Sequence, residues 1–248
     1  MFQNYFNIFV LCWMAIALIT FISLFFIRQP YGRHSTPSFG KMIDNQLGWI
    51  IMELPSPIVF AYFFFTGTST LTSMHYLLFS LYMIHYINRS IIFPLRIRTK
   101  NKKMPLLIAL SAIFFNLVNG FVNGYYLGNN AITKEPIILI IAGFILFILG
   151  FYINNKSDHI LLHLRGKDDT GYKIPKGFLF DKVTSPNYFG EILEWLGFCI
   201  MNIHIASISF LVWTLANLIP RSRDHHQWYK DKFENYPTDR KRIFPYIY

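Results

Sequence analysis

Glu53, Tyr86, Arg89, Asn116, Asn154, Asp158, Asn187 and Glu191 can bind, protonate or steady charge, and each stands in or beside a strongly apolar stretch. A charged side chain at mid-bilayer costs about 2.5–3.5 kcal/mol on insertion scales, so it is kept there for a purpose. The spacing sharpens this. Trp49 lies one helical turn before Glu53, while Tyr82, His85, Tyr86 and Arg89 fall at i, i+3, i+4 and i+7, one stripe of a helix. Asn116, Asn119 and Asn123 form a second stripe, and Asn154 and Asp158 are i, i+4. Asn187, Tyr188, Glu191 and Glu194 lie largely on one face. The sum predicts a deep polar pocket at one end of a helical bundle. Plainer readings exist for single features. Glu53 beside Pro55 and Pro57 could satisfy backbone groups at a kink. The asparagines, interleaved with Gly120, Gly124 and Gly128, could be a helix-packing seam.

Two further segments, 154–182 and 221–248, mix cations with rings: Arg165, Tyr172, Lys173, Arg221, His225, Tyr229 and Arg240. Guanidinium forks suit phosphate and rings suit flat heterocycles, so the mixture predicts a phosphorylated cofactor. The chain has neither a G-x-G-x-x-G nor a phosphate-loop motif, so the site would be neither of those types. H-E-x-x-H, zinc spacings and a G-x-S-x-G elbow are also missing, which argues against a metal and against an acyl-enzyme serine. Cys12 and Cys199 offer no disulfide framework.

The elements that carry these groups follow from hydropathy. Of 248 residues, 53% are hydrophobic, 19% aromatic and only 15% charged; soluble domains carry about 25% charged residues. A spanning helix needs about 20 apolar residues. Residues 5–27, 47–66, 71–93, 104–127 and 136–153 qualify as spans. The stretch 187–220 would reach roughly 50 Å as one helix, too long for a single crossing, and splits into 187–203 and 205–220. Of 23 Lys and Arg, 21 fall in 28–46, 94–103, 154–182 and 221–248. The positive-inside rule puts all four on the cytoplasmic face, which requires seven crossings, an outer N-terminus and a cytoplasmic C-terminus. The first span lacks the basic lead and cleavage site of a signal peptide and is expected to be retained. The fold predicted is all-α: a polytopic membrane protein of seven transmembrane helices with a cytoplasmic cofactor-binding cap of loops. No linker divides it, so 1–248 reads as one domain.

The segments Glu53-Leu-Pro-Ser56, His85-Tyr-Ile-Asn-Arg89, Asn119-Gly-Phe-Val-Asn-Gly-Tyr-Tyr126 and Ser157-Asp-His-Ile-Leu161 carry a family likeness. So do Tyr31-Gly-Arg-His34, Tyr172-Lys-Ile-Pro175, Ser185-Pro-Asn-Tyr-Phe-Gly-Glu-Ile-Leu-Glu-Trp195, His225-His226-Gln-Trp-Tyr229 and Phe233-Glu-Asn-Tyr-Pro237. In this order they resemble the steroid 5α-reductases of the 3-oxo-5-alpha-steroid 4-dehydrogenase family. The resemblance implies an NADPH-dependent reduction of the 4,5 double bond of a 3-oxo steroid, with hydride passing to C5. Negative charge then gathers on the carbonyl oxygen and must meet preorganised donors. The family places a glutamate and a tyrosine there, which map onto Glu53 and Tyr86. Cofactor contacts are implied at Asn154, Asp158, Arg165, Tyr172, Lys173, Asn187, Glu191, Arg221, His225 and Tyr229. Arg33, Arg89 and Arg98 would meet the pyrophosphate or position loops. The steroid side is expected at Trp49, Met52 and Asn116.

The chain departs from the family pattern at several places. Met52 stands where animal reductases have glutamine, Lys173 where arginine is usual, Asn88 where histidine is frequent, and Asp224 in place of a tail histidine. The rival readings are a membrane methyltransferase of the isoprenylcysteine carboxyl type, suggested by Pro186-Asn-Tyr-Phe-Gly190, a polyprenol or sterol-ring reductase, and a transporter. Expected partners are a lipophilic steroid-like substrate and the bilayer, with no nucleic acid and a monomeric state. The membrane would be the endoplasmic reticulum in a eukaryote and the inner membrane in a bacterium.

Overall fold

The computed structural model describes residues 2–29, 32–34, 36, 40–98, 102–132, 136–164 and 171–248, and the side chains of all of these but Phe2 and Arg33. It is mostly helical and divides into two compact units. The first comprises residues 1–28 and 135–248, the second residues 29–134.

The second unit starts from a staple. Strand β1, Met42–Asp44, pairs antiparallel with β2, Lys103–Pro105, setting Ile43 opposite Met104. Helix α2, Asn45–Glu53, leaves β1, and α6, Leu106–Asn129, leaves β2. Asp44 accepts from the Leu47 N–H at 2.9 Å and caps α2. At about 1.5 Å per residue, Glu53 lies about 12 Å along α2 and Asn116 about 15 Å along α6, so the staple sets them at matching heights.

Pro55 then opens α3, Pro55–Phe65. The backbone of the intervening Leu54 remains right-handed helical, so the proline bends the rod without stopping it. Gly120, Gly124 and Gly128 of α6 face α3: a Cβ at Gly120 would meet the Ser56 carbonyl at 2.7 Å, and one at Gly124 the Phe60 carbonyl at 2.5 Å. Without side chains, α3 and α6 pack backbone to backbone.

Helix α4, Ser73–Ile87, begins at a cap in which His75 Nδ1 accepts from the Thr72 N–H at 3.1 Å. That leaves the other ring nitrogen to donate to the Asn130 carbonyl, 3.2 Å away. One π-helical turn, Asn88–Ile92, follows before α5, Phe93–Arg96. Pro94 lacks an N–H for the normal ladder, and the Phe93 N–H reaches back to the Asn88 carbonyl instead.

The first unit contains α1, Phe2–Ser23; α7, Ile137–His163; α8, Pro186–Met201; and α9, Ile205–Lys232. The break between α8 and α9 falls at 202–204, where the sequence places it. His204 Nδ1 accepts from the Ala206 and Ser207 N–H groups at 3.1 and 3.2 Å and restarts the helix. Helices α7 and α8 approach through Gly150 and Gly190, and through Gly143 and Gly197. The rings of Trp13 on α1 and Trp213 on α9 lie 4.5 Å apart.

Two helices outrun their apolar spans. Helix α7 continues to His163 and α9 passes Pro220 to Lys232. Asn154, Asp158, Arg221, His225 and Tyr229 are therefore held on helix rather than on the cap of loops that hydropathy predicts. Polar residues end a hydropathy window without ending a helix. Among the described residues, five stretches are long and apolar enough to cross a membrane: Gln3–Ser23, Asn45–Phe65, Leu106–Asn129, Ile137–His163 and Ile205–Lys232.

Candidate active site

In the second unit the polar stripes converge. Asn116 donates through its amide to the Met52 carbonyl at 2.6 Å and to a Glu53 carboxyl oxygen at 3.2 Å. One turn further along α6, Asn119 donates to the hydroxyls of Tyr86 at 3.0 Å and Tyr82 at 3.2 Å. Asn123 donates to both the side-chain and main-chain oxygens of Asn119, each at 3.0 Å. The Tyr82 hydroxyl also lies 2.7 Å from Ser56 Oγ. Tyr82, Tyr86, Asn116, Asn119 and Asn123 are all buried. The acid and the phenol are thus anchored to adjacent turns of one helix. The packing-seam reading of α6 also holds: its glycines carry the packing and its asparagines the polar chain.

Rings fix the phenols. Tyr82 stacks on Phe60 with centroids 3.8 Å apart, and the Tyr86 ring lies 4.7 Å from that of Tyr82. Ser90, in the π-helical turn, donates to the Tyr86 carbonyl at 2.6 Å, which braces the backbone behind the phenol.

The residues expected to meet the steroid do different things. Met52 is buried against Met104 and Ala109, and Asn116 is engaged by Glu53 and the Met52 carbonyl. The Trp49 ring lies 4.8 Å from the Arg89 guanidinium and 5.1 Å from the Phe93 ring. Arg89 also lies over Phe93, at 4.9 Å. Two rings therefore hold this cation. Arg98 is exposed, Arg33 has no described side chain, and Arg165 lies outside the described residues.

In the first unit four expected cofactor residues meet. Asn154 on α7 donates to the Asn187 carbonyl on α8 at 3.0 Å and reaches Glu191 at 3.5 Å. Asn187 donates in turn to Asp158 at 3.1 Å. Asn154 and Asp158 are almost wholly buried. The glycine crossing accounts for the closeness: a Cβ at Gly190 would meet the Asn154 backbone nitrogen at 2.5 Å. On α9 the Arg221 guanidinium sits 5.2 Å over the Tyr188 ring, and His225 lies 5.4 Å from the same ring.

The tail shows a third grouping. Tyr229 is buried and stacks on Tyr236 at 5.4 Å with ring planes 8° apart. The Arg240 guanidinium lies over the Tyr236 ring at 5.1 Å and donates to the Pro175 carbonyl at 3.2 Å. Burial holds the Tyr236 phenol above its ordinary value of 10.0, against a hydrogen bond with Thr184 that pulls it down. Tyr172 packs edge-on against Trp228 at 4.8 Å, and Lys173 is exposed. Among the described residues no group of three metal-binding side chains occurs.

Sequence reasoning put Tyr82, Asn119 and Asn123 on the polar stripes that predict the pocket but gave neither them nor Ser56 a role of their own. It also passed over Gly143 with Gly150, and Gly190 with Gly197, whose common seven-residue spacing marks the α7–α8 contact.

The long apolar helices and the polar groups buried among them define a helical membrane protein with the make-up of an enzyme. A family model described as 3-oxo-5-alpha-steroid 4-dehydrogenase matches residues 102–248. The chain is 40% identical over 253 residues to a protein named steroid 5-alpha-reductase DET2 from Solanum lycopersicum, covering 99% of this chain and 98% of that protein. It is 37% identical over 254 residues to the protein of that name from Gossypium hirsutum, at 99% and 98% coverage. It is 36% identical over 236 residues to 3-oxo-5-alpha-steroid 4-dehydrogenase 1 of Rattus norvegicus, at 93% and 91% coverage. The chain belongs to the 3-oxo-5-alpha-steroid 4-dehydrogenase family and is an oxidoreductase. Membership of a reductase family sets aside the methyltransferase and transporter readings.

Proposed function

We propose that this protein reduces the 4,5 double bond of 3-oxo-4-ene steroids with NADPH, with Glu53 and Tyr86 holding the carbonyl oxygen. The observation that carries the reading is the anchoring of that acid and that phenol to Asn116 and Asn119, one turn apart on α6. Two donors anchored to adjacent turns of one helix can serve one oxygen. Tyr86 donates its phenolic hydrogen toward the oxygen, and Glu53 in its neutral form donates a second hydrogen bond. Both bonds strengthen as the oxygen gathers charge. Each such donor is worth about 10²–10³ in turnover.

The donor set of the first unit fits the cofactor's chemistry. Asn154, Asp158, Asn187 and Glu191 offer amides and carboxylates suited to ribose hydroxyls and a carboxamide, and Arg221 and His225, set on Tyr188, suit phosphate beside a flat ring. When bound, NADPH supplies the hydride that goes to C5, and a proton at C4 completes the reduction. Tyr172, Lys173, Arg165 and Tyr229 belong to the same reading, as do Arg33, Arg89 and Arg98 on the pyrophosphate side. Trp49, Met52 and Asn116 support the steroid end.

The reading includes one monomeric domain of seven spans, with the basic segments in the cytoplasm and the cofactor entering there. Family membership and the number of steroid reductases among the relatives support the substrate class. The test is incubation of the purified protein with NADPH and a panel of 3-oxo-4-ene steroids, followed by mass spectrometry. A two-hydrogen mass gain with NADPH consumption is expected. Unchanged steroids across the panel would end the proposal.

A further inference from the structure

We propose that a cationic cleft in the C-terminal segment takes the phosphate group of an anionic membrane lipid. The cleft measures about 240 Å³ and is lined by Thr238, Arg240, Lys241 and Arg242, together with His226 of α9, Ile247 and Tyr248. Among the described residues no carboxylate side chain lines it; Asp239 is exposed and stands outside the lining. The charges of Lys230, Arg242 and Arg240 all act on the His226 ring, so a fourth cation adds to the field of the three in the lining. Arg240 is 4% exposed. Its fork meets the Pro175 carbonyl and the Tyr236 hydroxyl, while its Nε is buried with no hydrogen-bond partner. A buried cation short of an acceptor, in the wall of a cleft, is a setting that an anion completes.

Backbone pairing holds these groups in place. The Lys241 N–H donates to the Lys182 carbonyl at 2.8 Å, the Thr184 N–H to the Lys241 carbonyl at 2.8 Å, and the Ser185 N–H to the Arg242 carbonyl at 3.1 Å. Thr184 Oγ lies 2.6 Å from His226 Nδ1 and fixes the ring. The Ile243 and Phe244 N–H groups donate to the Tyr248 main-chain oxygen at 2.8 and 2.9 Å, which folds the tail back. The Arg242 guanidinium then sits 4.5 Å from the Tyr248 ring. Cations fixed in advance lose little freedom on binding, and guanidinium forks match phosphate oxygens in pairs. Position and apolar neighbours select a lipid over free phosphate. The apolar run of α9 stops at Pro220. His226 follows about 9 Å further along the helix, which is headgroup depth for a helix whose apolar run lies in the hydrocarbon. In the same tail Tyr246 and Ile247 are 76% and 82% exposed, an apolar pair that a lipid would cover and a free phosphate would leave bare.

The test is native mass spectrometry of the whole protein in detergent, titrated with short-chain phosphatidic acid, short-chain phosphatidylcholine or inorganic phosphate. Phosphatidic acid is expected to bind at least about tenfold tighter than phosphatidylcholine. Lys241→Gln combined with Arg242→Gln should weaken phosphatidic acid about twentyfold, at about fivefold per cation. Equal binding of the two lipids, or undiminished phosphatidic acid binding in the variant, overturns the proposal. Inorganic phosphate binding as tightly as phosphatidic acid also overturns it, because the site would then be one for the free ion. NADPH supplies the last arm. Its affinity should move by less than about twofold in the double variant, and a larger loss would assign the cleft to the cofactor and overturn the lipid. If the double variant does not fold, Thr238→Glu, which sets a carboxylate in the cleft from an exposed position, must reproduce the loss of phosphatidic acid.

Discussion

Asn187 donates to Asp158 across 3.1 Å, joining the first turn of α8 to the polar extension of α7. Asp158 is 5% exposed, so its carboxylate has exchanged most of its water for this and neighbouring contacts. Asn187→Leu removes one donor and leaves the carboxylate buried. The expected cost is about 1–3 kcal/mol of stability, with weaker NADPH binding. Thermal unfolding with and without NADPH separates the two: the variant should melt lower and should also gain less from the cofactor, because the gain follows RT ln(1 + [L]/Kd). An unchanged cofactor-dependent gain would remove this pair from the cofactor site.

Gly190→Ala tests how this geometry is set. The added Cβ would meet the Asn154 backbone nitrogen at 2.5 Å and the Gly150 carbonyl at 2.7 Å. Backbone atoms cannot swing aside as a flexible side chain can, so the helices must separate. The expected loss is about 1–3 kcal/mol, typical of overpacking. Separation also lengthens the Asn154 bond to the Asn187 carbonyl, now 3.0 Å. Stability and NADPH affinity should therefore fall together. Gly177→Ala meets open space but a backbone φ of +79°, so it should cost stability through local strain while leaving NADPH affinity and the α7–α8 contact intact.

These predictions lean on features of unequal legibility. The polar stripes could be read because a membrane punishes each stray polar residue, so Glu53, Tyr86 and the asparagines stand out against their apolar background. The same logic located the break between α8 and α9, since 34 continuous residues overrun the bilayer. The β1–β2 staple left no trace, because three residues per strand are too few for an alternation to register. The extension of α7 past residue 153 was hidden because hydropathy reports the solvent and not the backbone. Pro94 hinted at a disturbed helix, but not at a π-helical turn that braces Tyr86 through Ser90.

Arg89 offers a third test. Its guanidinium lies 4.8 Å from the Trp49 ring and 4.9 Å from the Phe93 ring. A planar, weakly hydrated cation suits that setting, and a lysine ammonium does not. Arg89→Lys keeps the charge and should still destabilise the protein by about 0.5–2 kcal/mol. If Arg89 also meets the pyrophosphate, NADPH affinity falls in the variant. If its role ends with the rings, only the melting temperature moves, and Trp49→Leu reproduces the loss.

Glu53→Gln and Tyr86→Phe bear on the chemistry itself. Both are close in shape to the original side chains, so α2 and α4 should be little disturbed. Tyr86→Phe deletes the hydroxyl that Asn119 addresses at 3.0 Å. That strands one Asn119 N–H and costs some stability, so activity must be judged on folded protein. Glu53→Gln keeps a carbonyl for Asn116, 3.2 Å from the present carboxyl oxygen, and offers an N–H where the acid would offer an O–H. An amide is the poorer donor to an oxygen gathering charge. Each variant should lose about 10²–10³ in kcat with steroid KM moved much less, because the interaction grows in the transition state. Near-native turnover in either would strip that residue of its assigned role. Because both donors would serve one oxygen, the double variant should fall well short of the product of the two losses, and a fully multiplicative result would mean that they act on separate atoms.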